Sequence, residues 1–166
     1  IALDSSGNLY VGGMFSLPDW YVAKWDGVHW TGLGGGTSHP VETLAFDTSG
    51  NLYAGGQFTT AGGVSAICIA KWNGIEWSPL GSGTNYYSVK SIDVDDSDNV
   101  YAGGEFTTIG GIPANYIGKW NGSSWSAMGS GLNSYVYALK FDDSGNLFAG
   151  GGFTTAGGSA ARRSAK

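Results

Sequence analysis

The segment Val41-Glu-Thr-Leu-Ala-Phe46 sets Leu44 and Phe46 against Val41, Thr43 and Ala45. That alternation is the period-two pattern of a half-buried strand. Asp47-Thr-Ser-Gly-Asn51 follows as a turn, because Asp and Asn bond their own backbone and Gly accepts positive φ. A second strand is predicted over 52–58 and a loop over 59–65. A third strand runs over 67–72, and Asn73-Gly74 then begins a tight reversal into a fourth over 76–80. The pattern describes a four-stranded antiparallel meander.

The same pattern recurs along the chain. The turn reads Asp4-Ser-Ser-Gly-Asn-Leu-Tyr10, Asp47-Thr-Ser-Gly-Asn-Leu-Tyr53, Asp95-Asp-Ser-Asp-Asn-Val-Tyr101 and Asp142-Asp-Ser-Gly-Asn-Leu-Phe148. The following Gly pairs stand at 12–13, 55–56, 103–104 and 150–151, with periods of 43, 48 and 47. The short first period reflects four residues missing from one loop, between Gly13 and Trp25. Three full repeats and a partial fourth are expected in one repeat domain spanning 1–166, with units of about 1–39, 40–87, 88–134 and 135–166. By register Ile1 matches Leu44 inside a first strand, and Ala165-Lys166 matches Ala70-Lys71, one residue before a Trp. Arg162 and Arg163 replace Ile67 and Cys68, so the third strand of the last unit is expected to fray.

Two Trp flank each hairpin, at 25 and 30, 72 and 77, 120 and 125. They should share one face whether the hairpin loop has two residues or four. Ala23, Ala70 and Gly118 stand two residues before the first Trp, and their small size leaves room for a neighbouring indole. This is the chemistry of a core.

Composition agrees with an all-β chain: of 166 residues, 30 are Gly, 7 Trp and 9 Tyr, and only 13% are charged. A net charge of −5 with eight Lys and Arg argues against a nucleic-acid partner. No apolar run approaches the roughly 18 residues of a membrane span, so no membrane partner is expected. Cys68 is the single cysteine and reads as a small buried hydrophobe, which leaves the compartment open. The sequence begins at Ile1 without a Met or a signal-peptide pattern, and any targeting segment is expected outside it.

Val-x-x-Leu-x-Phe-Asp-x-Ser-Gly-Asn-Leu-Tyr-Ala-Gly-Gly resembles the inner half-blade of bacterial NHL-like and kelch-like β-propellers. The Lys-Trp-Asn-Gly-x-x-Trp hairpin resembles the outer half-blade of bacterial repeat proteins of that type. The resemblance covers the whole chain and implies propeller-type blades, with a secreted or cell-surface setting. It brings no catalytic set, because propellers host enzymes, lectins and scaffolds alike. Closed propellers use about four to eight blades, and both ends here supply inner strands. An open edge is therefore expected, covered by neighbouring repeats or by a second copy in a homodimer that closes or caps the array.

The candidate chemistry is sparse. Asp93, Asp95, Asp96 and Asp98 place four carboxylates in six positions, the composition of a Ca²⁺ loop, but without the late bidentate Glu that an EF-hand needs. A plain turn is the competing reading, and no cofactor is implied. His29 occupies a position held elsewhere by Glu76 and Ser124 and is expected in solvent. Glu42, Lys90 and Tyr137 share one position of the first strand, which would line a central channel.

The turns and hairpins are nearly identical between units, whereas the loops at the opposite end differ. Those loops carry Trp20, His39, Tyr86, Tyr87 and Tyr135, residue types that stack on and hydrogen-bond to sugars or peptides. Drift in unconstrained loops would give the same variation. The expected function is a non-catalytic binding or scaffolding segment with a carbohydrate or protein ligand. The alternatives are a lyase or hydrolase using channel residues, or a structural repeat with no ligand.

Overall fold

A computed structural model of the chain describes residues 1–85 and 87–166. Unit 1 contains β1 (Ala2–Leu3), β2 (Leu9–Gly12), β3 (Val22–Trp25) and β4 (Trp30–Gly32). Unit 2 contains β5 (Val41–Phe46), β6 (Leu52–Gly56), β7 (Thr60–Ala61), β8 (Val64–Ser65), β9 (Ile69–Trp72) and β10 (Trp77–Pro79). Unit 3 repeats it with β11 (Val89–Val94), β12 (Val100–Gly104), β13 (Thr108–Ile109), β14 (Ile112–Pro113), β15 (Ile117–Trp120) and β16 (Trp125–Ala127). Unit 4 holds β17 (Val136–Phe141), β18 (Leu147–Gly151), β19 (Thr155–Ala156), β20 (Ser159–Ala160) and β21 (Ser164–Ala165). No helix occurs among the described residues.

Each of the first three units is a four-stranded antiparallel meander, and unit 4 has three such strands, in the order β17-β18-β21. The expected all-β tandem of three full repeats and a partial fourth is present. The third strand of unit 4 forms despite Arg162 and Arg163, with Ala149 opposite Ala165 and Gly150 opposite Ser164. The second loop is not irregular: in units 2 to 4 it folds into a small two-stranded hairpin of its own. Unit 1 lacks that hairpin, and its four missing residues lie between Phe15 and Tyr21.

The alternation predicted for the first strand is interrupted. A β-bulge lies between Val41 and Thr43, between Val89 and Ser91, and between Val136 and Ala138. One extra residue shifts the pleat, so Val41 and Leu44 are both buried although they differ in parity, and Glu42 turns outward. The asparagine hairpins have four-residue loops, since Trp72 sits opposite Trp77 and Trp120 opposite Trp125. Asn73 Oδ1 accepts the amides of Ile75 and Glu76 and so holds the reversal.

The core lies between successive sheets. Val22 and Leu33 of unit 1 pack with Leu44, Leu52, Phe58 and Trp77 of unit 2, and two equivalent clusters join units 2 to 3 and 3 to 4. Phe58, Phe106 and Phe153 are fully buried at matching positions. Trp77 Nε1 donates to Leu33 O at 2.6 Å, reaching one unit back. A Cβ on Gly118 would lie 2.8 Å from Ile109 Cγ2 and 3.3 Å from Trp125 Cε3, so an aliphatic side chain as well as the indole crowds that position. The first strands are also linked: Ile92 N donates to Thr43 Oγ1, and Leu139 N to Ser91 Oγ. These bonds satisfy edge amides that would otherwise be free.

Candidate functional site

The variable loops lie at one end of the sheets, as expected, and they are paired rather than free. Thr37 bridges Ala61, Thr84 bridges Ile109 and Leu132 bridges Ala156, each across a unit boundary. A polar side chain reinforces each bridge. Ser38 Oγ accepts Thr59 N and Thr60 N, Asn85 Oδ1 accepts Thr107 N and Thr108 N, and Asn133 Oδ1 accepts Thr154 N and Thr155 N. The loops are therefore not free in conformation, because the backbone of each is held by the next unit's hairpin.

On this scaffold Trp20, His39, Tyr87 and Tyr135 are exposed, and Tyr86 lies outside the described residues. The backbones of three of them are fixed: Trp20 O accepts Thr37 N, His39 O accepts Thr37 Oγ1, and Tyr87 O accepts Thr84 Oγ1. The side chains do not converge on one pocket. Trp20 packs against Tyr21 at 5.9 Å, and His39 Nδ1 stands 3.5 Å from Ser38 Oγ.

Tyr135 is different. Its ring meets Tyr116 edge-on at 5.6 Å and Tyr137 at 6.4 Å, so three tyrosines from units 3 and 4 form a ledge. Tyr137 occupies the bulge of β17, which turns it outward, and Tyr116 precedes β15 with φ of 72°. Tyr21, Cys68 and Arg163 hold the matching left-handed position in the other units. There the residue's amide and carbonyl bond on either side, as Tyr116 does to Phe106 O and from Gly104 N. Tyr116 was not singled out in the sequence; its match to buried Cys68 gives no hint that its ring would lie beside Tyr135.

The other two bulge residues form an ion pair. Lys90 Nζ lies 2.8 Å from Glu42 and 3.4 Å from Glu105. Ser88 Oγ also donates to Glu42. Burial works against the Lys90 charge, but the two carboxylates outweigh it and raise its pKa above the ordinary lysine value. Glu42 and Lys90, read from the sequence as sharing a ring position, are thus in contact across the boundary of units 2 and 3.

The four aspartates proposed as a Ca²⁺ loop are not brought together. Asp93 accepts Phe141 N and Lys140 Nζ from unit 4. Asp95 accepts Ser97 N, Asn99 N, the Asn99 side chain and Tyr101 OH. Asp98 reaches back to Thr48 N and Thr48 Oγ1 of unit 2. Asp96 is exposed. Each of the three bonded carboxylates has its oxygens occupied by protein donors pointing different ways. No group of three His, Cys, Asp or Glu able to hold a metal occurs among the described residues. Asp98 keeps the left-handed conformation of the Gly it replaces, with φ of 61°.

The turn carboxylate instead belongs to a repeated structural set. Asp47 binds Asn51 and Tyr53 OH, and Lys71 lies over the Tyr53 ring at 5.6 Å. Burial, then the adjacent Asp47 charge, pushes the Tyr53 hydroxyl pKa up. Lys24 with Tyr10, and Lys119 with Tyr101, repeat the stacking at 5.5 and 5.1 Å. His29 is exposed, at a hairpin held by Asp26 Oδ1, which accepts Val28 N and His29 N as Asn73 does in unit 2.

Compared with protein-family models and with curated proteins, the chain matches none.

Proposed function

We propose that this chain is a non-catalytic binding segment of a β-propeller-type array, whose ligand is a carbohydrate or an extended polypeptide held against the Tyr116, Tyr135 and Tyr137 ledge. The observation that carries the reading is the ledge itself. Tyr135 and Tyr137 are 42% and 55% exposed although their backbone is fixed by strand β17 and by Gly152 N on Tyr135 O. Rigid, exposed aromatic faces with a phenol at the rim suit stacking on sugar rings or on peptide groups, at little entropic cost. The bonded loops support this reading, because a ledge on a fixed backbone is ordered before the ligand arrives.

Catalysis is less well supported: both histidines are exposed, and Asp4, Asp47, Asp95 and Asp142 are spent on the amides of their own turns. In the same reading the array is completed by further repeats or by a second copy, which covers the apolar hollow of about 480 Å³ at unit 1 lined by Val11, Phe15, Leu17, Pro18, Ala23 and Trp30.

Glycan-array screening, followed by titration of any sugar that binds, tests the ledge. Tyr135→Ala and Tyr137→Ala should each weaken binding about tenfold or more while leaving the thermal midpoint within a few degrees, as loss of a stacked aromatic does. Absence of binding to every glycan and to a random-peptide display library defeats the proposal.

A further inference from the structure

We infer that Asn121, in the hairpin of unit 3, is a site of self-modification, where the backbone amide of Gly122 displaces the side-chain nitrogen as ammonia and a carboxylate results. Asn73 of unit 2 is a slower site of the same kind. The inference is independent of the tyrosine ledge and of how the array is completed. In both hairpins the asparagine side-chain oxygen is cradled by the amides two and three residues on. Asn73 Oδ1 accepts Ile75 N and Glu76 N at 2.9 and 2.8 Å, and Asn121 Oδ1 accepts Ser123 N and Ser124 N at 3.0 and 2.9 Å. Asn121 Oδ1 also takes the Ser123 hydroxyl at 3.0 Å and the Ser124 hydroxyl at 3.4 Å. These donors point at the atom on which negative charge develops when a carbonyl is attacked. Unit 1 shows that the cradle favours such charge, because Asp26 holds the corresponding place there. Asp26 Oδ1 accepts His29 N and Val28 N, and these two bonds keep its carboxyl below the ordinary aspartate value.

The nucleophile is adjacent. Gly122 N belongs to the ring of atoms that the bond from Ser123 N closes, so it and Asn121 Cγ are members of one fixed turn rather than of a freely rotating side chain. Gly122 N makes no hydrogen bond among the described residues, and Gly122 has no side chain to hinder its approach. The other asparagines lack this combination. Asn8, Asn51, Asn99 and Asn146 donate their side-chain nitrogen to the turn aspartate and precede Leu or Val. Asn85 and Asn133 accept amides of the next unit rather than of their own turn, and Asn115 donates to Ser130 O and precedes Tyr116.

The chemistry balances with water alone. Gly122 N gives its proton to hydroxide and bonds to Asn121 Cγ, while the carbonyl electron pair moves to Oδ1. Its return breaks the bond to the side-chain nitrogen, which takes a proton from water and leaves as ammonia. A five-membered succinimide remains. Water then opens the ring, at Cγ to give an aspartate, or at the main-chain carbonyl to give an isoaspartate whose backbone is one carbon longer. The aspartate product suits the hairpin: unit 1 keeps Trp25 opposite Trp30 with Asp26 in place, as unit 3 keeps Trp120 opposite Trp125. Each conversion adds one negative charge to a chain already at −5.

The test is incubation of the folded full chain at mildly alkaline pH, followed by peptide mapping by mass spectrometry and by isoaspartyl methyltransferase labelling. The expected result is conversion of Asn121 about two- to tenfold faster than Asn73, the range that one further net hydrogen bond spans, with the other asparagines intact. Ser123→Ala, which removes the nearer hydroxyl donor, should bring Asn121 down toward the Asn73 rate, and Gly122→Ala should slow Asn121 alone. Asn121→Asp should leave the thermal midpoint close to that of the parent chain. Conversion of Asn121 only in the urea-denatured chain overturns the inference, because the hairpin would then protect the amide instead of activating it. Conversion no faster than at Asn73, or unmoved by Ser123→Ala, overturns it as well.

Discussion

The indole Nε1 of Trp125 donates to the carbonyl oxygen of Leu80, 45 residues earlier and one unit back, at 2.8 Å. Trp77 makes the same bond to Leu33. One side chain per unit thus supplies both the largest apolar contact and a directional bond across the boundary, which fixes the stagger of neighbouring sheets as well as their adhesion. Trp30 holds the corresponding position in unit 1 but is 47% exposed.

The contrast gives a stability prediction. Trp125→Ala should destabilise by about 3–5 kcal/mol, because it opens a large cavity in the boundary of units 2 and 3. Trp30→Ala should cost within about 1 kcal/mol, as surface changes do. Thermal denaturation by circular dichroism should show a midpoint lowered by roughly 6–20 °C for the first, at about 2–4 °C per kcal/mol for a chain of this size, and only a few degrees for the second. Equal losses would mean that Trp30 is buried by a partner in solution.

The turn aspartates predict acid sensitivity. Burial opposes the charge of Asp95, but hydrogen bonds from Asn99, Ser97 and Tyr101 outweigh it and hold its pKa below 3.8. Asp4 is shifted the same way: burial again opposes the charge and bonds from Asn8 and Ser6 prevail. Asp142 is lowered by bonds from Asn146 and Ser144. A carboxylate with a depressed folded pKa contributes stability that is present above its unfolded value and is lost as pH falls through the folded value. The thermal midpoint should therefore be flat above about pH 4–5 and fall steeply below it. Asp95→Asn should lower stability at neutral pH and make the acid fall shallower; an unchanged acid limb would show that Asp95 does not carry the dependence.

Most of the architecture is written in local rules that repeat. The Asp-x-Ser-Gly-Asn turn, the Asn-Gly reversal and the paired Trp each specify their own geometry within about ten residues, so strands and meander were legible from the chain alone. What was not legible depends on how one unit sits against the next. Ser38 and Asn85 look like interchangeable loop polars, and their shared job of capping the following hairpin's amides exists only once two units are packed. Tyr135 was singled out for its type, whereas its partners Tyr116 and Tyr137 come from a left-handed residue and a bulge. Neither feature has a composition signature strong enough to be read without the fold. In the acidic run 93–98, Asp95 serves its own turn, which the local pattern states, whereas the directions of Asp93 and Asp98 are set by neighbours in units 4 and 2.

The bulge itself can be tested through glycine. A Cβ on Gly104 would collide with Ser88 O and lie 3.0 Å from Val89 Cα, and one on Gly56 would collide with Pro40 O. These contacts are backbone, which cannot swing aside as a side chain tip can, and Glu105 N uses the same Ser88 carbonyl as its acceptor. Gly104 is at negative φ, so its requirement is closeness rather than handedness. Gly122, by contrast, has φ of 94° with open space around its Cβ position. Gly104→Ala should therefore force β11 from β12 and cost about 3 kcal/mol or more, in the range of backbone-displacing overpacking. Gly122→Ala should cost only about 1 kcal/mol, the strain of a left-handed alanine. Because the bulge turns Lys90 toward Glu42, Gly104→Ala should also break that ion pair. Chemical denaturation of the two variants, with lysine side-chain NMR of Lys90, separates the outcomes. A Gly104→Ala variant as stable as Gly122→Ala, with Lys90 unshifted, would mean that the bulge is adaptable and that the outward placement of Glu42, Lys90 and Tyr137 is not enforced by the close approach of the two strands.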